Sequence, residues 1–379
     1  MNNNRTVILV GAGCKNNPKL IEYLGTLKVP LLLTWMAMDL FDENHPSFCG
    51  RPGIYGSRAA NIIQQKATIL ICLGARLDNE QVAYSYENFA PLARKFVFDV
   101  DQAELDKFPD TWHKTKQDLS NDFILDLSMF ASTDKWMKWC KDLYTKFRPE
   151  LDGQVLSGSD DFDNYDYDIP AYFMNELSNR CKSDDILAIG SSGGAAVSFV
   201  QYFKVKKGQK LTNVNTIGSM GADIPMAIGA CIAGGKHRTI CVTGDGGFAM
   251  NIQELEVVTR YQLPIKFFVY NNNGYGSIRA MQNARFEGRH VGCDPASGMT
   301  LPSIEAVAKL FNIRYFDYFS KDGFESLQPM ICELHVDPNY RQFPRVMSQM
   351  DEHGKFSWMS MENMQPLLDK HELDKIMNY

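Results

Sequence analysis

Long apolar runs are missing from this chain of 379 residues; no window approaches the roughly 18–20 apolar residues of a membrane span. The amino terminus, MNNNRTVILVGAG, has too short an apolar stretch for a secretory signal, and no cleavage-like region follows it. Dense Lys/Arg runs are also missing. With 39 Lys and Arg against 45 Asp and Glu, the net charge of −6 argues against a nucleic-acid surface. There is no CxxC pair and no Cys/His metal spacing. Nine scattered cysteines fit reduced thiols in a cytoplasmic protein better than a disulfide framework or a zinc site. What is present is 45% hydrophobic and 22% charged residues, the balance of a soluble globular chain with a large core. The length suggests two or three domains.

The pattern along the chain alternates apolar strands with helices, which predicts two doubly wound α/β domains with parallel sheets. In the first region, strands are expected at Thr6 to Val10, Val29 to Leu33, Thr68 to Leu73 and Lys95 to Val100. Asn17-Pro18 supplies an N-cap and a first-turn proline for a helix to about Leu27. Gly11-x-Gly13 lacks the third glycine of a dinucleotide fingerprint and reads as a tight strand–helix turn. Thr133 to Phe147 reads as an amphipathic helix whose aromatics belong to the core. Residues 149–168, polar and aspartate-rich, read as a linker between residues 1–148 and a second domain spanning 169–379.

The stretch from Thr239 to Arg279 carries the chemistry. Thr239 to Val242 is a short β-branched run that stops at Gly244-Asp245-Gly246-Gly247. Asn251 and Glu254 have capping-box spacing, with Leu255, Val258 and Tyr261 as an apolar helical face. Ile265 to Tyr270 is a second apolar strand, followed by Asn271-Asn272. Such a strand–helix–strand unit is a right-handed crossover between parallel strands. It places Asp245 and Asn272 beyond the carboxyl ends of two strands, the edge where open α/β sheets bind ligands. Adjacent strands lie roughly 4.8 Å apart, so one carboxylate and one amide oxygen can reach a common ion. A hard cation such as Mg2+ takes oxygen ligands and completes its shell with phosphate and water. Gly246 and Gly247 let the backbone approach a phosphate, and the following helix can aim N–H groups at it. The arrangement suits a metal-bridged diphosphate.

Gly244-Asp245-Gly246 and Asn271-Asn272, with the 24 residues 247–270 between them, resemble the signature of thiamine-diphosphate-dependent enzymes of the acetolactate-synthase-like superfamily. The resemblance implies that Mg2+ is held by Asp245, Asn272 and the backbone carbonyl of Gly274. Asn215 to Ala230, NTIGSMGADIPMAIGA, is similar to the family's GTMGxxLPAAIGA segment. There Met220 would wedge between the cofactor rings, and the Gly218 carbonyl would accept from the aminopyrimidine. Gly190 to Ala196 resembles the first diphosphate loop, which assigns Gly193 and Gly194 to the cofactor. This chain has small residues where the family often has Gln and His, leaving backbone N–H groups or Ser191 and Ser192 to make the contact. The resemblance extends cofactor contacts to Gly244, Gly246, Gly247, Tyr275, Gly276 and Ser277.

Residues 1–148 resemble the family's middle domain, in Thr34 to Met38, His45-Pro46, Gly53 to Ser57, Gly74 to Asp78 and Asp99 to Leu105. In acetolactate synthase such segments surround an FAD with no redox role. Leu77-Asp78-Asn79 in place of Phe-Asp-Asp-Arg argues against a flavin here. The tail after Pro344 resembles the family's carboxyl-terminal arm near the substrate. His290, in the segment Gly288 to Gly298, reads as a surface residue.

No stretch resembles the family's pyrimidine-binding domain, whose glutamate activates the cofactor. The expected catalytic glutamate is therefore not in this chain but in a separately encoded subunit, in a hetero-oligomer with two copies of each. A strand opening at Thr6 is compatible with an intact start, and a truncated fragment is a further reading. The implied reaction is decarboxylation of a 2-oxo acid such as pyruvate, with transfer of the acyl carbanion equivalent to a carbonyl acceptor. The alternatives are a split 2-oxo-acid decarboxylase and a silent binding or regulatory subunit.

Overall fold

In a computed structural model of the chain, the described residues are 4–120, 126–148, 170–190, 193–214, 217–350 and 356–379. Two compact units emerge, one of Met1–Val155 with Phe343–Tyr379, the other of Leu156–Gln342.

The first unit is built on five parallel strands: β1 (Thr6–Val10), β2 (Leu31–Leu33), β3 (Ile69–Leu73), β4 (Arg94–Asp99) and β5 (His113–Lys116), in the order β2-β1-β3-β4-β5. Every residue of β1, β2 and β3 is buried, the pattern of a parallel sheet covered on both faces. Asn17 caps the helix Pro18–Thr26, its side chain accepting from the Leu20 N–H at 2.9 Å. On the helix Asp134–Lys146, capped by Thr133, Trp136, Cys140 and Leu143 are buried. The Gly11–Gly13 turn is closed on itself. Gly11 N–H donates to Leu73 O at 2.8 Å and Gly13 N–H to Gly74 O at 3.0 Å. A Cβ on Gly13 would stand 2.8 Å from the Gly74 Cα, so the glycines serve backbone packing and leave no cradle for a dinucleotide phosphate.

The expected domain 169–379 differs from the structure at its carboxyl end, because Phe343–Tyr379 groups with the first unit. The cause is a set of buried polar groups on the helix Arg58–Lys66. Arg58 is 1% exposed, and its guanidinium donates to Met364 O at 3.0 Å and Pro366 O at 2.7 Å. Asn61 Nδ2 donates to Met361 O at 3.1 Å. Val346, Met361 and Met364 join the same apolar core, and a small antiparallel hairpin, β12 (Ser348–Met350) with β13 (Phe356–Trp358), lies within this segment. The linker expected at 149–168 lies outside the described residues.

The second unit carries six parallel strands: β6 (Ile186–Ile189), β7 (Lys210–Thr212), β8 (Thr239–Gly244), β9 (Ile265–Asn271), β10 (Arg314–Phe316) and β11 (Met330–His335), in the order β10-β11-β9-β8-β6-β7. The chain turns one way from β6 to β7 and the other way to β8, so a topological switch point falls between β6 and β8. Ser303 caps the helix Ile304–Leu310, accepting from the Ala306 N–H at 3.2 Å.

One local expectation fails between β8 and β9. Asn251 makes no side-chain cap; a 3-10 turn, Ile252–Glu254, intervenes before the helix Leu255–Arg260. The Asn251 side chain is held elsewhere: its Nδ2 donates to Gly221 O at 2.7 Å, and its Oδ1, the atom a cap would use, accepts from Gln253 Nε2 at 2.9 Å. Leu255 and Val258 are buried as expected, whereas Tyr261 is 53% exposed.

All nine cysteines are unpaired and buried. Burial pushes the Cys14 and Cys72 thiols up to about 12, which leaves them as small core residues. Among the described residues, no helix is long and apolar enough to cross a membrane.

Candidate cofactor and metal site

The site grows from the register of β8 on β9. Gly244 lies opposite Tyr270, so the residues just after each strand, Asp245 and Asn272, emerge side by side. Asp245 opens a short helix, Asp245–Ala249, and is 6% exposed. Its Oδ1 accepts from Gly246 N–H at 2.8 Å and its Oδ2 from Gly274 N–H at 2.9 Å. Burial pushes its carboxyl up to about 6, against the lowering effect of these N–H donors. A buried carboxylate held short of full ionisation is a group that a cation would complete.

Asn272 provides the complementary observation. Its Oδ1 is buried and has no hydrogen-bond partner, an orphan that costs free energy unless something outside the chain satisfies it. Its Nδ2 lies where a Cβ on Gly276 would fall, 2.4 Å away. Asn273 (φ 58°) and Gly274 (φ 140°) are left-handed, which turns the backbone back toward Asp245. A Cβ on Gly274 would stand 2.2 Å from Cys293 O, so only glycine fits. One carboxylate, one unpartnered amide oxygen and a tightly folded glycine segment fit a hard, oxygen-seeking cation.

Of the thirteen positions expected from sequence to contact a cofactor, twelve line one cleft at this sheet edge: Gly193, Gly194, Met220, Gly244, Asp245, Gly246, Gly247, Asn272, Gly274, Tyr275, Gly276 and Ser277. Gly218 is not among the lining residues; it forms a left-handed turn (φ 66°) ahead of Met220. Ser191 and Ser192 lie outside the described residues. The helices Gly193–Tyr202 and Gly276–Arg285 both begin at the cleft, so their first N–H groups and positive dipole ends favour an anion there.

The glycines have more specific duties than backbone exposure. A Cβ on Gly246 would meet the Tyr275 ring at 2.5 Å and Met220 Cε at 3.3 Å, so these two side chains close over that position. A Cβ on Gly247 would meet Asp223 Oδ2 at 2.3 Å. Asp223 is a charged lining residue that sequence reading missed. It is 2% exposed, and its Oδ2 accepts from Thr243 Oγ1 at 2.8 Å. The available signal was a lone acid opening the otherwise apolar helix Asp223–Ala233. His290 stays outside the cleft, its Nε2 2.8 Å from Asn283 Oδ1.

Comparison with known proteins agrees with this geometry. The family described as thiamine pyrophosphate enzyme, C-terminal TPP binding domain, matches residues 191–335, and its central domain matches residues 1–117. The chain thus belongs to the thiamine pyrophosphate enzymes, of which it carries the central and C-terminal domains. Within them it is homologous to acetolactate synthase large subunits. It is 28% identical over 291 residues to the isozyme 2 large subunit of Escherichia coli (strain K12), covering 76% of this chain and 50% of that protein. Against the large subunit of Cyanidium caldarium it is 29% identical over 324 residues, covering 81% and 52%. Against the probable large subunit of Methanococcus aeolicus it is 26% identical over 360 residues, covering 88% and 58%. The chain spans about half the length of these curated relatives.

Proposed function

We propose that this chain is the diphosphate- and metal-binding part of a thiamine-diphosphate-dependent enzyme that decarboxylates a 2-oxo acid, most simply pyruvate, and transfers the acyl unit to a carbonyl acceptor. The observation that carries the reading is the pairing of buried Asp245 with the orphaned Asn272 Oδ1 at adjacent strand ends. The names of the acetolactate synthase relatives support the acyl-transfer chemistry.

Asp245, Asn272 and the Gly274 carbonyl would hold Mg2+. Gly193, Gly194, Gly276 and Ser277, at two helix starts, would receive the diphosphate. Met220, 38% exposed beside Gly246 and Tyr275, would support the cofactor between its rings. When bound, thiamine diphosphate supplies the electron sink for decarboxylation. The residues lining the cleft would orient it.

The carboxylates lining the cleft, among the described residues, are Asp223 and Asp245. Asp223 is engaged by Thr243 and Asp245 faces the metal position. The reading therefore places the activating glutamate outside the lining of this cleft; we propose that a separately encoded pyrimidine-binding subunit supplies it, in a hetero-oligomer with two copies of each chain and in the cytoplasm. Copurification from the native source, followed by pyruvate turnover with thiamine diphosphate and Mg2+, tests this. Turnover only when a second subunit is present supports the split enzyme. Cofactor binding with neither partner nor turnover on any 2-oxo acid contradicts it.

A further inference from the structure

Arg279 is the buried residue of the helix Gly276–Arg285, at 5% exposure. An arginine is normally kept out of such a position unless its planar fork of donors is met. Here it is met from three sides. Nη1 donates to Asn272 O at 3.3 Å and to Pro338 O at 3.1 Å, and Nη2 donates to Asn273 O at 3.1 Å. Nε donates to Asp294 Oδ2 at 3.3 Å.

Two of those carbonyls belong to the turn that presents Asn272 and Gly274 to Asp245. The fourth acceptor belongs to a segment, residues 288–298, that does not line the cleft. Asp294 is itself locked, its Oδ1 accepting from Ser297 N–H at 2.9 Å and from Ser297 Oγ at 2.7 Å. A second, backbone tie runs alongside, Tyr275 N–H to Cys293 O at 2.8 Å. His290, Cys293 and Asp294 bring three ligand-type atoms within 4.8 Å of one another. With the Asp294 carboxylate committed to a guanidinium and to Ser297, and Cys293 fully buried against Ser297, that cluster is a clasp rather than an ion site.

We propose that Arg279 is a positioning residue that latches the metal-binding turn to segment 288–298, so that ion occupancy and the order of that segment are thermodynamically linked. The inference rests on the metal–diphosphate reading above. Its physical content is that the left-handed backbone at Asn273 and Gly274 is held by the guanidinium grip on two successive carbonyls. An ion bound by Asn272 and Gly274 tightens the same turn. The tightening passes through Arg279 to Asp294, and by reciprocity anything that orders segment 288–298 raises ion affinity by the same factor. Val291, 62% exposed on that segment, is where an outside contact would be felt.

The test uses the full chain, with Mn2+ and thiamine diphosphate as probes, reading Mn2+ affinity by electron paramagnetic resonance and amide exchange over residues 288–298. In the unaltered chain, Mn2+ with thiamine diphosphate should slow exchange in that segment. Arg279→Ala should weaken Mn2+ binding about 10–100-fold, the usual effect of removing a group that orients metal ligands, and abolish the slowing. Arg279→Lys, which keeps the charge but loses the planar fork, should recover only part of the affinity. Asp294→Asn leaves every metal ligand and both carbonyl contacts in place; it should loosen the segment and weaken Mn2+ at least about threefold, as expected for loss of one charge-assisted hydrogen bond. It also serves as the deciding variant if Arg279→Ala fails to fold. Affinity within twofold of the unaltered chain in folded Arg279→Ala or Asp294→Asn, or no response of the segment to Mn2+, overturns the latch. An unaltered chain that takes up no Mn2+ with thiamine diphosphate overturns the metal reading itself.

Discussion

Both units end a buried strand in a glycine turn at the carboxyl edge of a parallel sheet, but of these two turns only the second faces a cleft among the described residues. After β1, the N–H groups of Gly11 and Gly13 are taken by the carbonyls of Leu73 and Gly74, and the backbones touch. After β8, the turn Gly244–Gly247 faces a cleft, Asp245 is buried and pushed toward neutrality, and Asn272 Oδ1 has no partner. A glycine turn binds a ligand when its neighbours leave polar groups unsatisfied, not because it contains glycine. The first unit also spends a buried cation, Arg58, on its own carboxyl-terminal segment. The second spends Arg279 on the turn that carries the metal ligands.

The comparison can be broken most forcefully in the first unit. Arg58→Ala strands the buried Met364 carbonyl and removes the donor to Pro366 O, and should cost about 2–4 kcal/mol of stability, measured by chemical denaturation. Mg2+ affinity should be unchanged, and a parallel loss of affinity would show that the first unit is not purely structural. Next in size is pH. Because burial lifts the Asp245 carboxyl to about 6, protons compete with the ion below that value. Mg2+ affinity should fall roughly tenfold per pH unit as pH drops through 6, as expected for one proton displaced. In the metal-free chain the sign is opposite. A folded-state value above the unfolded one means that this group favours the fold at low pH and that its contribution is lost as pH rises from about 4 through 6. Affinity that is flat between pH 5 and 7 would exclude Asp245 as the ligand.

Gly276→Ala is a finer probe. The new Cβ would fall 2.4 Å from Asn272 Nδ2, and the flexible amide can swing aside. Mg2+ affinity should drop about tenfold while stability changes by less than about 1 kcal/mol, since a helical Gly→Ala change offsets part of the strain. The smallest stability effect belongs to Met220→Ala. Its side chain is 38% exposed, so stability should stay within about 0.5 kcal/mol. Exchange of the thiamine C2 proton should nevertheless slow in the assembled enzyme, and an unchanged exchange rate would remove Met220 from the cofactor.

The pairing of Asp245 with Asn272 was legible in the sequence because it depends on short-range order: a strand, a crossover and a second strand, with parallel register doing the rest. The buried runs of β1, β3, β8 and β9 were legible for the same reason. Arg58 and Arg279 were not, because a buried arginine looks like any surface arginine until its acceptors arrive, and for Arg58 they lie some 300 residues away (sequence separations of 306 and 308). That distance also explains why the segment after Gln342 was expected in the wrong unit. Asn251 had the local signature of a cap, but its side chain is oriented by Gly221 O on its Nδ2 and by Gln253 Nε2 on its Oδ1, contacts that override the local preference. Asp223 was hidden inside an apolar helix, its role visible only through the space that Gly247 leaves for it.

The most direct test of the central claim is calorimetric titration of the full chain with thiamine diphosphate, with and without Mg2+, before and after Asp245→Ala. The account predicts Mg2+-dependent binding in the unaltered chain and none in the variant, with the fold intact by circular dichroism. Equal binding by a folded Asp245→Ala chain would contradict it.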